Sequence, residues 1–226
     1  MLEKILDSHA HYDDPRFDED RGELLERLLA GPVCGIVNVG ADLESSRKSL
    51  ALAEEYPRIY AAVGVHPHEA EGLPGDYLDT LAGLAGHPKA VAIGEIGLDY
   101  HYDFSPRPIQ KTVFEAQLGL AKELDLPVII HSREATRDVM ELLRRYRPKG
   151  VVHCFSGSAE TAREVVELGM YVGFTGAVTF KNASKLLLAV QAVPLDRLLL
   201  ETDCPYMAPE PYRGQRCHWD AWRWRF

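Results

Sequence analysis

Eight short apolar runs recur along the chain, and several of them, such as GIVNV and VIIHS, are apolar throughout instead of alternating with polar residues. Continuously apolar runs of this length are typical of parallel strands that are covered on both faces. We therefore predict eight parallel strands, at residues 4–8, 33–39, 59–65, 90–94, 127–130, 150–152, 171–174 and 197–200.

Amphipathic segments separate these runs, and helix-terminating residues such as Gly31 and Pro32 mark the ends of the segments. Regular alternation of strand and helix, with about 20–35 residues per unit, gives a parallel sheet. Eight units favour a closed (β/α)8 TIM barrel over an open sheet, and no GxGxxG motif follows the first strand to suggest a dinucleotide-binding fold. Helices are predicted at residues 19–30, 43–56, 76–84, 108–126, 134–146, 158–168 and 182–193.

The stretch after the eighth run does not have the pattern of a helix. It begins with Cys204, Pro205 and Tyr206, contains further prolines, and ends in RGQRCHWDAWRWRF. We therefore predict a barrel that lacks its normal C-terminal helix, with a barrel domain at residues 1–214 and an atypical tail at 215–226. We also expect an apolar face around the eighth strand to be left without cover, which would lower stability or cause self-association.

Composition narrows the class of protein. The chain has 226 residues, of which 46% are hydrophobic, so it can bury the core of one barrel domain. There is no run of about 20 apolar residues and no basic n-region before an apolar stretch, so we expect a cytoplasmic protein without a membrane span or signal peptide. Its four cysteines show no CxxC spacing and are expected to be reduced. A net charge of −9 argues against a protein that coats DNA without sequence preference.

Histidine and acidic residues follow the predicted strands, where barrel enzymes keep their active sites. Residues two apart on a strand point to the same side, so His9 and His11 can bind the same ion. Imidazole and carboxylate ligands suit a catalytic divalent metal better than a closed structural zinc site. There are enough such residues for two ions, with Glu95 as the bridge. The residues at the strand ends are His9, His11, His66, His68, Glu95, His131, His153 and Asp203.

Seven motifs together resemble the TatD family, a branch of the metal-dependent hydrolases of the amidohydrolase type. The resemblance covers approximately residues 4–214 in the right order. The main departure from it is the tail, which reads like an altered reading frame or a truncation. The motifs are HAH at 9–11, GVHPH at 64–68, AIGEIGLDY at 92–100, PVIIHSREA at 127–135, VVHCFSGS at 151–158, GFTGAVTFK at 173–181 and LLLETDCPYMAP at 198–209.

This resemblance implies a (β/α)8 barrel that hydrolyses phosphodiester bonds with divalent metal ions, usually as a deoxyribonuclease. By motif, one ion would be held by His9, His11, Glu95 and Asp203. The other would be held by Glu95, His131 and His153. Asp203 would also be the general base for a hydroxide that bridges the two ions. The ions could be Mg, Mn, Zn or Ni, since such ligands accept all of them.

Four further residues are candidates for substrate binding. His66 and His68 are interpreted as substrate-contacting or supporting groups, because six other residues already provide two ion sites. Arg133 has the fork geometry that holds a phosphate, and Lys181 could do the same, although each could equally be a solvated surface charge. The expected partner is DNA, single-stranded or at its ends. A hydrolase of another ester or amide, or a product made inactive by its altered C-terminus, remain alternatives.

Overall fold

Eight parallel strands form one sheet in the computed structural model, which describes residues 4–222 of the chain. Each strand pairs in parallel with the next one along the chain. A parallel bridge between Ala10 and Cys204 brings the first strand beside the segment that follows the eighth, so the sheet forms a nearly closed barrel. The predicted fold class is confirmed. The strands are β1 (Ile5–Ala10), β2 (Val33–Val39), β3 (Ile59–Val63), β4 (Ala90–Asp99), β5 (Val128–Arg133), β6 (Gly150–Val152), β7 (Tyr171–Phe174) and β8 (Leu198–Leu200).

Seven α-helices connect the strands, in the places that the amphipathic segments predict. Local sequence sets their ends: Asp42 caps the second helix by accepting the backbone N–H of Ser45 at 2.6 Å. None of the described helices is long and apolar enough to cross a membrane. The helices are α1 (Arg21–Ala30), α2 (Leu43–Glu55), α3 (Tyr77–Ala85), α4 (Arg107–Glu123), α5 (Thr136–Tyr146), α6 (Ala159–Glu167) and α7 (Ser184–Ala192).

Strands β4 and β5 are longer than the apolar runs that predict them. β4 continues five residues past Gly94, to Asp99, and β5 continues to Arg133. The two extensions pair with each other, since Gly97 lies opposite His131 and Asp99 opposite Arg133. Ladder pairing uses backbone groups only, so it continues where the apolar side chains stop. Glu95 and His131 therefore lie within strands and not at their ends.

The barrel interior carries a small apolar cluster beneath the polar residues. Ile129 and Val151 belong to this cluster, together with residues of β2, β3 and β4. His131 and His153 follow them by two positions, and side chains two apart along a strand share a face. The apolar cluster therefore supports the polar residues from within the barrel.

No α-helix follows β8 in the described part of the chain, and the outer side of this region is only partly covered. Leu6 on β1 is 47% exposed, and all three residues of β8 are half-buried. The tail predicted at 215–226 is described as far as Trp222, where it ends in a 3-10 turn at Trp219–Trp222, and its last four residues lie outside the described residues. The ring of Trp219 is buried.

Candidate metal centre

His9, His11 and Asp203 meet where β1 adjoins the segment after β8. The Nε2 atoms of His9 and His11 are 3.0 Å apart, and Asp203 Oδ1 lies 3.8 Å from the first and 3.7 Å from the second. His11 Nδ1 lies 2.7 Å from the carbonyl oxygen of Val39, so it carries the hydrogen and donates it there. When the ring is neutral, His11 Nε2 therefore has a lone pair that faces His9 and Asp203, as a metal ligand requires.

Glu95 lies between this group and a second group, which consists of His131 and His153. Its two carboxylate oxygens face different groups. Oε2 is 3.4 Å from His9 Nε2 and 3.8 Å from His11 Nε2. Oε1 is 2.6 Å from His153 Nε2 and 2.8 Å from His131 Nδ1. The structure therefore brings all six predicted ligands together, with one carboxylate in contact with both groups.

His66 was predicted to contact substrate, but it lies close enough to Glu95 and His131 to share an ion with them. Its Nε2 atom lies 3.6 Å from Glu95 Oε1, and its ring centroid is 4.5 Å from that of His131. His66, Glu95 and His131 form one of the described groups whose ligand atoms lie close enough to hold a single ion. His68 is set back, 4.3 Å from His66 between ring centroids.

The donor set fits a divalent cation. Glu95 and Asp203 are both buried, and no lysine or arginine among residues 4–222 forms an ion pair with either. Buried carboxylates are costly without a compensating charge, and imidazole nitrogens with carboxylate oxygens are ligands that divalent metals accept. Two further described groups can hold an ion, namely His9 with Glu95 and His153, and His9 with His11 and Asp203.

Buried carboxylates that the sequence analysis missed support these ligands. Asp99 Oδ2 lies 3.1 Å from His131 Nε2 and 3.1 Å from His68 Nε2, while Oδ1 accepts the backbone N–H groups of His101 and Tyr102. A carboxylate behind a metal-binding imidazole fixes the orientation of the ring. Asp99 therefore joins the loop after β4 to the metal centre.

Glu201 is a second missed carboxylate, two residues before Asp203. It is fully buried, accepts the backbone N–H of Cys154, and lies 3.7 Å from His153 Nδ1 through Oε1. Asp7 occupies the corresponding place two residues before His9 and accepts both the N–H and the hydroxyl of Thr202. For Asp7 the signal was the alternation of side chains along β1, since residues two apart share a side; for Glu201 it was the position directly after the eighth apolar run.

Charge coupling within the centre shifts several pKa values. Burial would raise the pKa of Glu95, but His153 and His66 outweigh it and lower that pKa well below its usual value. Burial likewise would lower the pKa of His11, but Asp203 and Glu95 raise it to about 9. Burial, followed by the charge of His153, lowers the pKa of His9 to about 4. The carboxylates thus keep their charge, and protons compete with metal for the imidazoles.

The two predicted phosphate-binding cations differ in their surroundings. The guanidinium of Arg133 lies at the end of β5, 4.6 Å from the centre of the Tyr102 ring. Lys181 is exposed and follows the turn at Gly176–Thr179. Tyr100, on the same side of the barrel, is half-buried and donates its hydroxyl to Asp138 at 2.7 Å.

Comparison with known proteins gives a consistent result across nearly the whole chain. A family model described as "TatD related DNase" matches residues 6–223. An uncharacterized metal-dependent hydrolase of Bacillus subtilis, YabD, is 47% identical over 215 residues, which are 94% of this chain and 84% of that protein. A protein of Cronobacter sakazakii named "3'-5' ssDNA/RNA exonuclease TatD" is 41% identical, covering 91% of this chain and 80% of its own length.

A solved structure has the same architecture. The crystal structure of YjjV, a TatD homologue from Escherichia coli, superposes with a TM-score of 0.91 at 37% sequence identity. The match covers 98% of this chain and 88% of the other.

Proposed function

This chain belongs to the TatD-related DNase family of metal-dependent hydrolases, and from that premise we propose that it is an exonuclease acting on single-stranded DNA. Similar proteins named as single-stranded DNA and RNA exonucleases support a phosphodiester substrate. The placement of the site supports it as well, because the C-terminal end of a barrel is where loops can admit the end of a polymer.

The observation that carries the proposal is the division of Glu95 between two groups of ligands. Its Oε2 faces His9 and His11, and its Oε1 faces His131 and His153. We infer two ions with Glu95 shared between them, His66 being a further candidate ligand of the second. Two neighbouring ions can stabilise both the attacking and the leaving oxygen of a phosphoryl displacement.

Each protein group then has a definite task. Divalent ions held here would lower the pKa of a water molecule in the site and offset the charge that develops on the phosphate. Asp203 lies beside His9 and His11 with its pKa lowered, because burial, which would raise it, is outweighed by these imidazoles and His153. It is thus an ionised carboxylate that orients the attacking water and accepts its proton. Asp99 holds the ring of His131 through the 3.1 Å contact with Nε2, and Glu201 places a buried carboxylate 3.7 Å from His153 Nδ1.

The test combines elemental analysis with a nuclease assay. We expect metal-loaded protein to shorten a 5'-labelled single-stranded oligonucleotide one nucleotide at a time from its 3' end, the polarity in the names of the relatives. A chelator should abolish the reaction. Glu95→Gln should remove activity and at least one ion per chain, while Glu115→Gln, a carboxylate paired with Arg145 on the helical surface, should change neither.

Two outcomes would overturn the proposal. One is metal-loaded protein that leaves single-stranded DNA intact while it hydrolyses another ester or amide. The other is a folded Glu95→Gln protein that keeps both its metal content and its rate.

A further inference from the structure

Two large aromatic side chains stand exposed on the loop between β4 and α4. Tyr102 is 47% exposed and Phe104 is 64% exposed, although aromatic rings stabilise a fold chiefly when they are buried. Their rings are stacked, with centroids 5.2 Å apart and planes 15° from parallel. An exposed pair of stacked rings indicates a binding surface more than a packing defect.

This pair lies directly beside the metal centre. The Phe104 ring centroid is 4.8 Å from that of His68, and the His68 centroid is 4.3 Å from that of His66. His66 in turn lies 3.6 Å from Glu95. Two histidines therefore separate the exposed ring of Phe104 from the carboxylate at the middle of the site.

The charges around the pair favour a polyanion. The guanidinium of Arg133 lies 4.6 Å from the Tyr102 ring centre and forms no ion pair within residues 4–222. Two acids near Arg133 have basic partners on the same surface. Asp103 pairs with Arg107 at 2.7 Å, and Glu134 lies 2.7 Å from His101. Arg133 is thus available to a phosphate, while Asp103 and Glu134 already have partners.

We propose that Tyr102 and Phe104 form a stacking platform for an unpaired nucleobase of the bound strand, with Arg133 contacting a phosphate of the same strand. The inference rests on the proposed function and assigns a base-binding subsite to it. Base stacking on an aromatic ring tolerates any sequence, because every base has a flat face. In a duplex those faces are already stacked, so the platform selects single strands.

Binding is tested with metal-loaded protein and an oligonucleotide whose terminal linkages are phosphorothioates, so that turnover is slow. One version carries fluorescent 2-aminopurine near the 3' end, and another has an abasic residue at the same position. For wild-type protein we expect quenching of 2-aminopurine and tighter binding of the strand with the base. Stacking of one base contributes about 1–3 kcal/mol, which corresponds to about 5- to 150-fold in affinity.

Phe104→Ala should lose the quenching and weaken binding of the base-containing strand about 5-fold or more, without further weakening the abasic strand. Phe104→Trp should keep both signals. Tyr171→Ala is the matched control, since Tyr171 is also exposed and lies under an arginine, Arg197, but begins β7 at the opposite end of the barrel. It should behave like the wild type.

The proposal is overturned if wild-type protein binds the two strands equally, or if Phe104→Ala weakens both to the same extent. It is also overturned if Phe104→Ala changes only the oligomeric state, which would make the platform a protein interface. A failure of the proposed nuclease function can be distinguished from a failure of the platform. Base-dependent binding without any cleavage would refute the nuclease and leave the platform, whereas cleavage without base dependence would refute the platform alone.

Discussion

The carboxylate of Glu201 occupies the space beside Gly173 on β7. Gly173→Ala should therefore destabilise the protein, because the added methyl group displaces this carboxylate. An ideal Cβ on residue 173 would lie 2.7 Å from Glu201 Cδ and closer still to Oε2. Glu201 is fully buried and cannot swing into solvent. It would have to give up the backbone N–H of Cys154 and the hydroxyl of Ser8, which it accepts at Oε1 and Oε2 respectively.

The magnitude follows from those two bonds. A hydrogen bond to a charged group contributes about 1.5–3 kcal/mol, and one to a hydroxyl less. Replacing a strand glycine recovers about 0.5–1 kcal/mol of backbone entropy. We therefore expect Gly173→Ala to lower the free energy of unfolding by about 2–3 kcal/mol. For a protein of this size each kcal/mol shifts Tm by about 2–4 °C, so Tm should fall by about 4–12 °C.

The assay is thermal and urea denaturation at pH 8. Burial raises the pKa of Glu201 to about 7, so at pH 8 the carboxylate is ionised. Gly119→Ala is the matched control: Gly119 lies within α4 with nothing within 4 Å of an added Cβ, and the change should stabilise by about 0.5–1 kcal/mol. In the Gly173→Ala background, Glu201→Asp should cost less than it does alone, because its shorter side chain withdraws from the clash.

A Gly173→Ala protein as stable as the wild type would refute this reasoning. So would strict additivity with Glu201→Asp, since two side chains in direct conflict must couple. If Gly173→Ala also weakens metal binding, the result would indicate that Glu201 orients His153.

Three further predictions concern charge and surface. Metal binding should release protons and become tighter as pH rises from 6 towards 9, because the pKa of His11 and of His131 is raised to about 9 and protons must leave both rings. Calorimetry in buffers of different ionisation enthalpy measures the proton release. Metal affinity that does not change with pH would contradict the prediction. Asp99→Asn should lower the pKa of His131, since the Asp99 charge and hydrogen bond raise it; NMR titration of the metal-free protein checks the shift, and an unchanged value would show that Glu95 alone is responsible. The exposed face around Leu6 and β8 should cause concentration-dependent self-association that Leu6→Lys weakens; sedimentation velocity measures it, and a wild-type monomer at all concentrations would count against it.

The barrel could be predicted from sequence because its signal is repeated eight times. Each strand is an apolar run, and each predicted helix lies within a few residues of an observed one. The extensions of β4 and β5 could not be predicted, since backbone pairing continues beyond the apolar side chains and leaves no trace in the hydrophobic pattern.

The same limit explains which site residues were found. His9 directly follows an apolar run, and His11 and Asp203 each lie three residues past the end of one, where a histidine or an acidic residue is easily noticed. Asp99 was missed because β4 was predicted to end at Gly94, which placed residue 99 in a loop; on the observed strand it is four residues beyond Glu95 and on the same side. Glu201 was missed although it directly follows the eighth apolar run, because Asp203 lies in the motif by which the chain resembles the family.

Among residues 4–222 no α-helix covers β8, and this affects stability more than it affects the metal centre. The 3-10 turn at Trp219–Trp222 spans about 8 Å at the usual rise of about 2 Å per residue, so it cannot cover the face that a full helix would. The ligands are held from elsewhere: His11 N–H donates to the carbonyl of Cys204 at 2.8 Å, and Asp203 N–H donates to that of His9 at 2.9 Å. These bonds join the end of β1 to the segment after β8 at the ligands themselves. The geometry of the centre therefore depends on closure of the barrel and on Asp99 behind His131, and not on a helix packed over β8.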